Sequence, residues 1–291
     1  MNMKKLSLLI ALLCVLNANA YDIKVDGIYY DINLNTMTAS VVRGVEGIYF
    51  TQYSGDIIIP STIEYNGYVF KVTSINTQAF DNCPELCSIT IPSNITKIQQ
   101  YAFSLCTNIK SVIITDSESK IEIGKGQFKA SPFNYLYIGR DIGDTSISDL
   151  VHIDETIDGG YKDHNSSLTT LVVSEQVKKV GKLVHCTNLM SVTCLSTNPK
   201  DVYAVFSNRT YMDGILYVPI GTIEKYKQVD GWKQFFNIVE KDFSNGIISV
   251  KTNTTTGKVY YNIKGQKFNE GKHGLNIIRE TNGKTRKVFI K

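Results

Sequence analysis

The sequence predicts a mostly β solenoid, and three observations predict it. Apolar pairs such as Ile89/Ile91, split by one polar residue, recur along the chain as short strands with one apolar side. A composite pattern also repeats at a fixed distance: Ile75, Ala79-Phe80, Cys83 and Leu86 match Ile98, Ala102-Phe103, Cys106 and Ile109 at an offset of 23 residues. Finally, the strand pairs fall on seven rungs: Ile57/Ile59, Ile89/Ile91, Val112/Ile114, Leu136/Ile138, Leu171/Val173, Val192/Cys194 and Leu216/Val218. A unit of this size cannot close a core by itself, so its apolar side must be covered by neighbours of the same shape.

The steps between rungs are 32, 23, 24, 35, 21 and 24 residues, the two long ones being a normal step plus an insertion. A period in the twenties reads as a leucine-rich-repeat type coil of about seven rungs, built from short parallel strands and short helical turns. Rung two shows the plan. Ile89 and Ile91 alternate with Ser88 and Thr90, and Pro92 ends the strand because it offers no N–H to a continuing ladder. Rung five repeats it locally: Leu168, Leu171, Val173, Val177 and Val180 lie 82 residues after Leu86, Ile89, Ile91, Ile95 and Ile98.

The phrases CPELCSITIPSNITKIQQYAFSLCTNI, CTNLMSVTCLS and GILYVPIGTIEKYKQVDGWKQFFNIVE resemble the BspA-type leucine-rich repeats of Bacteroidetes surface proteins. The opening YDIKVDGIYYDI and the run SGDIIIPSTIEYNGYVFKVTSINTQAF are similar to the usual start of such domains. The resemblance covers about Tyr21 to Asp242 and departs from pattern at GQFKASPFNYLYIG, which lacks the AF…C signature. It implies secretion or surface display and binding to other macromolecules. It implies no enzyme and supplies no ligand residue.

In chain order, residues 1–20 read as a secretory signal: two lysines, the apolar run Leu6 to Leu16, and Ala18-Asn19-Ala20 before Tyr21. The apolar run is too short to span a bilayer, and no other run is long and apolar enough. The chain is therefore expected to be exported, to the cell surface or the extracellular space. Residues 21–56 read as an N-terminal β cap with a hairpin at Asp26-Gly27, and Asn66-Gly67 repeats the signal in the first insertion. Residues 57–242 hold the solenoid, closed by a helical cap: Thr222 starts a short helical segment with Ile223 and Tyr226 on one face, and Trp232, Phe235, Phe236 and Val239 follow at helical spacing. Residues 245–291 form a small basic β-module, with strand-like runs at Ile247 to Val250, Lys258 to Ile263, Leu275 to Ile278 and Lys287 to Ile290. The stretch VYYNIKGQKFNEGKHGLNIIRETNGKTRKVFIK resembles short C-terminal β-modules of Bacteroidetes exported proteins, some of which are sorting signals.

Charge is divided unevenly. Residues 245–291 carry ten basic and two acidic side chains, a net of +8, while residues 21–244 carry 19 basic and 25 acidic, a net of −6. Nucleic acid is not the expected partner, since export removes it and aromatic interleaving is sparse. The basic module is expected to be solvated, with attraction to an anionic cell surface as the alternative.

Sites of chemistry are not expected. Cys83, Cys106 and Cys186 share one repeat slot and Cys194 stands where other rungs have Ile or Val, so they read as small buried apolar residues rather than disulfides or metal ligands. The second insertion, Gly139 to Ser167, carries seven acids and two histidines, spaced as in a solvated loop rather than a calcium loop. No nucleophile elbow, zinc-protease motif or phosphate loop occurs, so neither catalysis, metal nor cofactor is expected.

The expected function is binding or adhesion to a protein or glycan, with an envelope scaffold lacking a specific ligand as the alternative. The feature that separates them is the row of central rung residues pointing away from the core: Ile58, Thr90, Ile113, Tyr137, Val172, Thr193 and Tyr217, with Tyr135 and Ile215 beside them. Solenoids bind along such faces and Tyr is enriched in contact surfaces, which makes Ile113, Tyr135, Tyr137, Val172 and Tyr217 the candidate contact residues. The competing reading is that β-branched and aromatic residues simply favour strands.

Overall fold

A computed structural model of the chain describes residues 21–46, 49–50, 53–151 and 167–243, and beyond these the strands 258–261, 267–268, 274–280 and 285–290. The expected signal segment, the middle of the acidic insertion at 152–166, and the side chains of the last four strands lie outside the described residues. The chain opens with β1 (Ile23–Val25) and β2 (Ile28–Asn33), joined by Asp26-Gly27 with φ of 50° and 85°. Two successive left-handed residues make the hairpin turn whose twist matches its strands. Next come β3 (Thr38–Val42), antiparallel to β2, and the small hairpin β4 (Val45–Glu46) and β5 (Tyr49–Phe50). Then β6 (Gly55–Ile58) starts the front sheet, and Asn66-Gly67 joins β7 (Thr62–Tyr65) to β8 (Tyr68–Ile75) in the same turn geometry.

From β9 (Leu86–Ile91) the chain coils. Strands of a front sheet alternate with strands on the back: β10 (Lys97–Ile98) at the back, β11 (Ser111–Ile114) in front, β12 (Glu122–Ile123) at the back, and β13 (Tyr135–Ile138) in front. After the insertion, β14 (Thr170–Val173), β16 (Ser191–Cys194) and β18 (Ile215–Pro219) extend the front, while β15 (Lys179–Leu183) and β17 (Tyr203–Phe206) pair on the back. The front sheet is wholly parallel, in the order β6, β9, β11, β13, β14, β16, β18 and a last strand, β19 (Asn237–Lys241). The fold is a β-solenoid with few helices. A separate antiparallel sheet follows, of β20 (Lys258–Tyr261), β21 (Lys267–Phe268), β22 (Gly274–Glu280) and β23 (Thr285–Ile290).

Register is continuous. Ile89, Val112, Leu136, Leu171, Val192 and Leu216 stand opposite one another and are all fully buried. Rung four is therefore in step with its neighbours, with Leu136 and Ile138 in the core. The stretch that lacks the AF…C signature keeps the slot with other residues: Gln127-Phe128 replace Ala-Phe and Ser131 replaces Cys. The Ser131 hydroxyl donates to Phe103 O at 2.7 Å and accepts from Cys106 N at 2.8 Å. The phenylalanines form a ladder through the coil, Phe80 to Phe103 at 5.1 Å and Phe103 to Phe128 at 5.2 Å, nearly parallel. Each ring is bracketed by two left-handed residues: Gln78 and Asn82, Tyr101 and Leu105, Gly126 and Ala130.

The C-terminal closure keeps the short helix expected after Thr222 but not its helical continuation through Val239. Helix covers only Ile223–Tyr226, and Trp232 and Phe235 are buried in turns, packed on Phe206 at 5.5 and 5.2 Å. Residues 237–241 form an eighth front strand, with Val239 opposite Tyr217. The open edge of β18 presents unpaired backbone groups, and a strand satisfies them where a helix cannot. A six-residue helix, Asn208–Asp213, was not expected; Ser207 caps it by accepting from Thr210 N at 3.0 Å.

Cys83, Cys106, Cys186 and Cys194 are buried and unbridged, and Cys87 is exposed. Burial raises the thiols of Cys83 to about 11 and of Cys106 and Cys186 to about 12. Native protein treated with iodoacetamide at pH 8 should be alkylated at Cys87, with the other four modified only after denaturation, as read by mass spectrometry. The folded chain holds these protons while unfolded thiols release theirs above about 9. This contribution is thus present below pH 9 and lost as pH rises toward 11 to 12. The unfolding free energy from urea titrations should fall between pH 8.5 and 10.5, by up to about 1.4 kcal/mol per pH unit for each thiol.

Candidate binding face

The front sheet has an inner side, fixed by the coil, and an outer side. On the outer side the backbone register sets Ile58, Thr90, Ile113, Tyr137, Val172, Thr193, Tyr217 and Val239 in one row across all eight strands. A second row, Asp56, Ser88, Ser111, Tyr135, Thr170, Ser191, Ile215 and Asn237, runs beside it. All five candidate contact residues thus lie on one face, placed there by strand alternation.

The row is not uniformly open. Ile113, Tyr137 and Val172 are 3%, 1% and 4% exposed and make an apolar cluster separate from the main core, with Ile58 and Tyr135 packed against it. Thr90 and Thr193 are also buried, Tyr217 is half-buried, and Val239 at the far edge is 43% exposed. The second row grades the same way, from buried Ser88 and Ser111 to exposed Asn237. The central residues therefore face away from the core and yet are shut off from water.

Polar groups tie the face to its rim. The Tyr137 hydroxyl donates to Asp116 Oδ1 at 2.6 Å, and Ser88 donates to Asp56. Burial first, and then the Asp116 charge, hold the Tyr137 phenol far above the usual tyrosine range; burial alone does so for Tyr135. Lys241 Nζ stands 5.5 Å over the Tyr217 ring, an attraction between a cation and the ring's negative face. Beyond the strand ends lies an open groove of about 610 Å³, lined by Asp116, Glu118, Glu175, Asp242 and Lys241 among others, so its charge is mainly negative.

Sequence reading missed Arg140. It is fully buried just past β13, where its guanidinium donates to Ser93 O at 2.7 Å and Pro92 O at 2.9 Å, reaching back across rung three to rung two. Burial lowers it to about 10, so it stays cationic at neutral pH. Gly139 beside it has no room for a Cβ against the backbone of Thr115 and Asp116. The signal was present in the sequence: a lone basic residue in a slot filled elsewhere by Ser93, Asp116, Glu175 and Ser196.

In the acidic insertion, Asp149 closes a capping box with Ser146 and Asp141 pairs with Lys120 at 3.3 Å. Among the described residues no three His, Cys, Asp or Glu side chains are grouped to hold a metal. His185 is exposed while Cys186 beside it is buried. Among the described residues no helix is long and apolar enough to cross a membrane.

Residues 50–151 match the BspA type leucine rich repeat region, in six copies. Solved structures similar to this chain include a leucine rich cell surface protein from Faecalibacterium prausnitzii, at 18% identity and a TM-score of 0.38, covering 90% of this chain and 59% of that one. Leucine-rich repeat proteins from Bacteroides ovatus (14% identity, TM-score 0.27, 76% of this chain and 77% of that one) and Bacteroides capillosus (17%, 0.32, 59% and 96%) are also similar. The chain thus spans less than two thirds of the Faecalibacterium protein's solved length. No curated protein matches it.

The Tyr137–Asp116 bond gives a direct check of the outer row. Tyr137→Phe should lower stability by about 1.5 kcal/mol, since it leaves a charge-assisted bond unmade. Tyr217→Phe, on a half-buried ring, should cost under about 0.5 kcal/mol. Urea unfolding of the two variants measures both.

Proposed function

We propose that this chain is an exported surface protein that binds a protein or glycan through the outer side of its front sheet, without catalysis. The observation that carries the reading is the single uncharged row across eight registered strands, with aromatic residues on the fourth and seventh. A rigid sheet fixes the spacing of such residues, so a partner meets a preformed surface and little ordering is needed on binding. Tyr217 is the contact nearest to water, with Tyr135, Ile113, Tyr137 and Val172 behind it. The matched repeat region and the cell-surface protein among the similar structures support surface display. The C-terminal module is read as the sorting or anchoring part, for which its resemblance to short C-terminal β-modules of exported proteins is the support.

One observation favours the scaffold reading instead: the centre of the row is already shut off from water, as in a face that only packs. The two are separated by screening residues 21–291 against extracellular-matrix proteins and a glycan array. With a partner found, Tyr217→Ala should weaken it about tenfold, and Tyr135→Ala with Tyr137→Ala at least thirtyfold, roughly 2 kcal/mol. Circular dichroism checks that the variants stay folded. A partner whose affinity ignores all three changes sinks the face, and a screen with no partner favours the scaffold.

A further inference from the structure

We infer that the C-terminal β-module, β20 to β23, lies across the outer side of the front sheet as its intramolecular cover, closing the row from β6 to β16 and leaving the β18–β19 end open. The chain has to pass from one edge of the front sheet to the other. It leaves the front sheet at the β19 edge, and its last strand comes within 8 Å, Cα to Cα, of β6 at the opposite edge. Seven strand spacings of about 4.8 Å put those edges roughly 34 Å apart. β23 is not hydrogen-bonded to β6; it belongs to its own antiparallel sheet, so it approaches as a packed layer rather than as a ninth strand.

The exposure of the face agrees. Both outer rows are half-buried at β6, buried at β9 and β11, and wettest at β19, and the row through Tyr137 stays buried as far as β16, the pattern expected of a cover that stops short of the β18–β19 end. Ser111 Oγ, Thr115 Oγ1 and Tyr135 OH, at the dry centre, are cut off from water and have no hydrogen-bond partner. On an open sheet each would be hydrated, so something lies on them. The described part of the acidic insertion lies elsewhere: its helix at Ile147–Leu150 packs on β15, and Asp144 O accepts from Lys179 Nζ, both on the back of the coil. The module has the right charge, +8 against −6 for the body. A four-stranded sheet this small also needs a second layer to bury its apolar residues.

The test uses residues 21–291 and needs no ligand, so its failure and the failure of the binding reading are separate results. A protease site is placed within 244–257, and Val172→Cys is introduced in a Cys87→Ser background, where the other thiols are buried. In the uncut chain the new thiol should resist maleimide. After the cut the module should stay bound at about 50 mM salt and leave at about 1 M, because screening removes the attraction between opposite charges. Labelling should then accelerate roughly tenfold or more, while Val239→Cys, at the open edge, labels equally fast throughout. Thr193→Cys repeats the measurement if the first variant folds poorly. Fast labelling in the uncut chain overturns the proposal, as does slow labelling after the module has left. Protection that depends on protein concentration makes the cover a second copy, and also overturns it.

Discussion

Everything in this molecule depends on each coil borrowing its core from the coils on either side. Phe103 makes the point: it is fully buried, and its ring is sandwiched by Phe80 and Phe128 at 5.1 and 5.2 Å. The backbone carries the same dependence, with Phe80 N donating to Ala102 O and Phe103 N to Gln127 O, one coil to the next. Tight turns around the ring force residues such as Gln78, Asn82, Tyr101 and Leu105 into left-handed backbone, at a cost of about 1 kcal/mol or more each. Neighbouring coils hold that conformation, and it holds the ring in the ladder. Stability is then a sum of interfaces, and the end coils need closures: the Tyr29–Tyr53 pair and β1 to β3 at one end, and Trp232, Phe235 and β19 at the other.

The inner side of the coil was legible because its chemistry is periodic. Ile89, Val112, Leu136, Leu171, Val192 and Leu216 can be read off as strand centres, and they stand in register. The third repeat was harder, since Ser131 fills a cysteine slot by bonding across coils rather than by apolar packing. β19 was obscured for a different reason. The spacing of Trp232, Phe235 and Phe236 fits a helix, but Phe236 is 79% exposed and the free edge of β18 decides the conformation of the residues that follow. Backbone demand at an edge leaves no mark on local periodicity. Nor does the dryness of the outer row: alternation tells which way Tyr137 points, not what lies above it.

The two sides of the front sheet therefore obey different rules. Inside, every position must fit the coils above and below, and only Ile, Leu, Val and Cys are used at the paired sites from Ile89 to Val218. Outside, the register imposes spacing but no chemistry, and the row changes from Thr90 to Ile113 to Tyr137 without disturbing the coil. Specificity in a solenoid belongs to the side that folding leaves free. Arg140 marks where the sides meet: bonded to carbonyls of rung two from the end of rung four, it locks three rungs together at the same rim that carries Asp116 and its bond to Tyr137.

A cover over this face is held by a small difference. Fully burying three side chains of the kind of Ile113, Tyr137 and Val172 contributes roughly 1.5 to 3 kcal/mol each. Sealing the unpaired hydroxyls of Ser111, Thr115 and Tyr135 costs about 1 to 3 kcal/mol each, which cancels most of it. What is left to decide the matter is charge, +8 on the module against −6 on the body, and that attraction is long-ranged, weak and screened by salt. A partner need not overcome a hydrophobic interface to reach the row. It needs only a differential affinity of a few kcal/mol for the open face, and each 1.4 kcal/mol shifts the balance between covered and open about tenfold. On the proposed reading, the open β18–β19 end, where Tyr217 and Val239 already meet water, is where such a partner would make its first contact before displacing the rest.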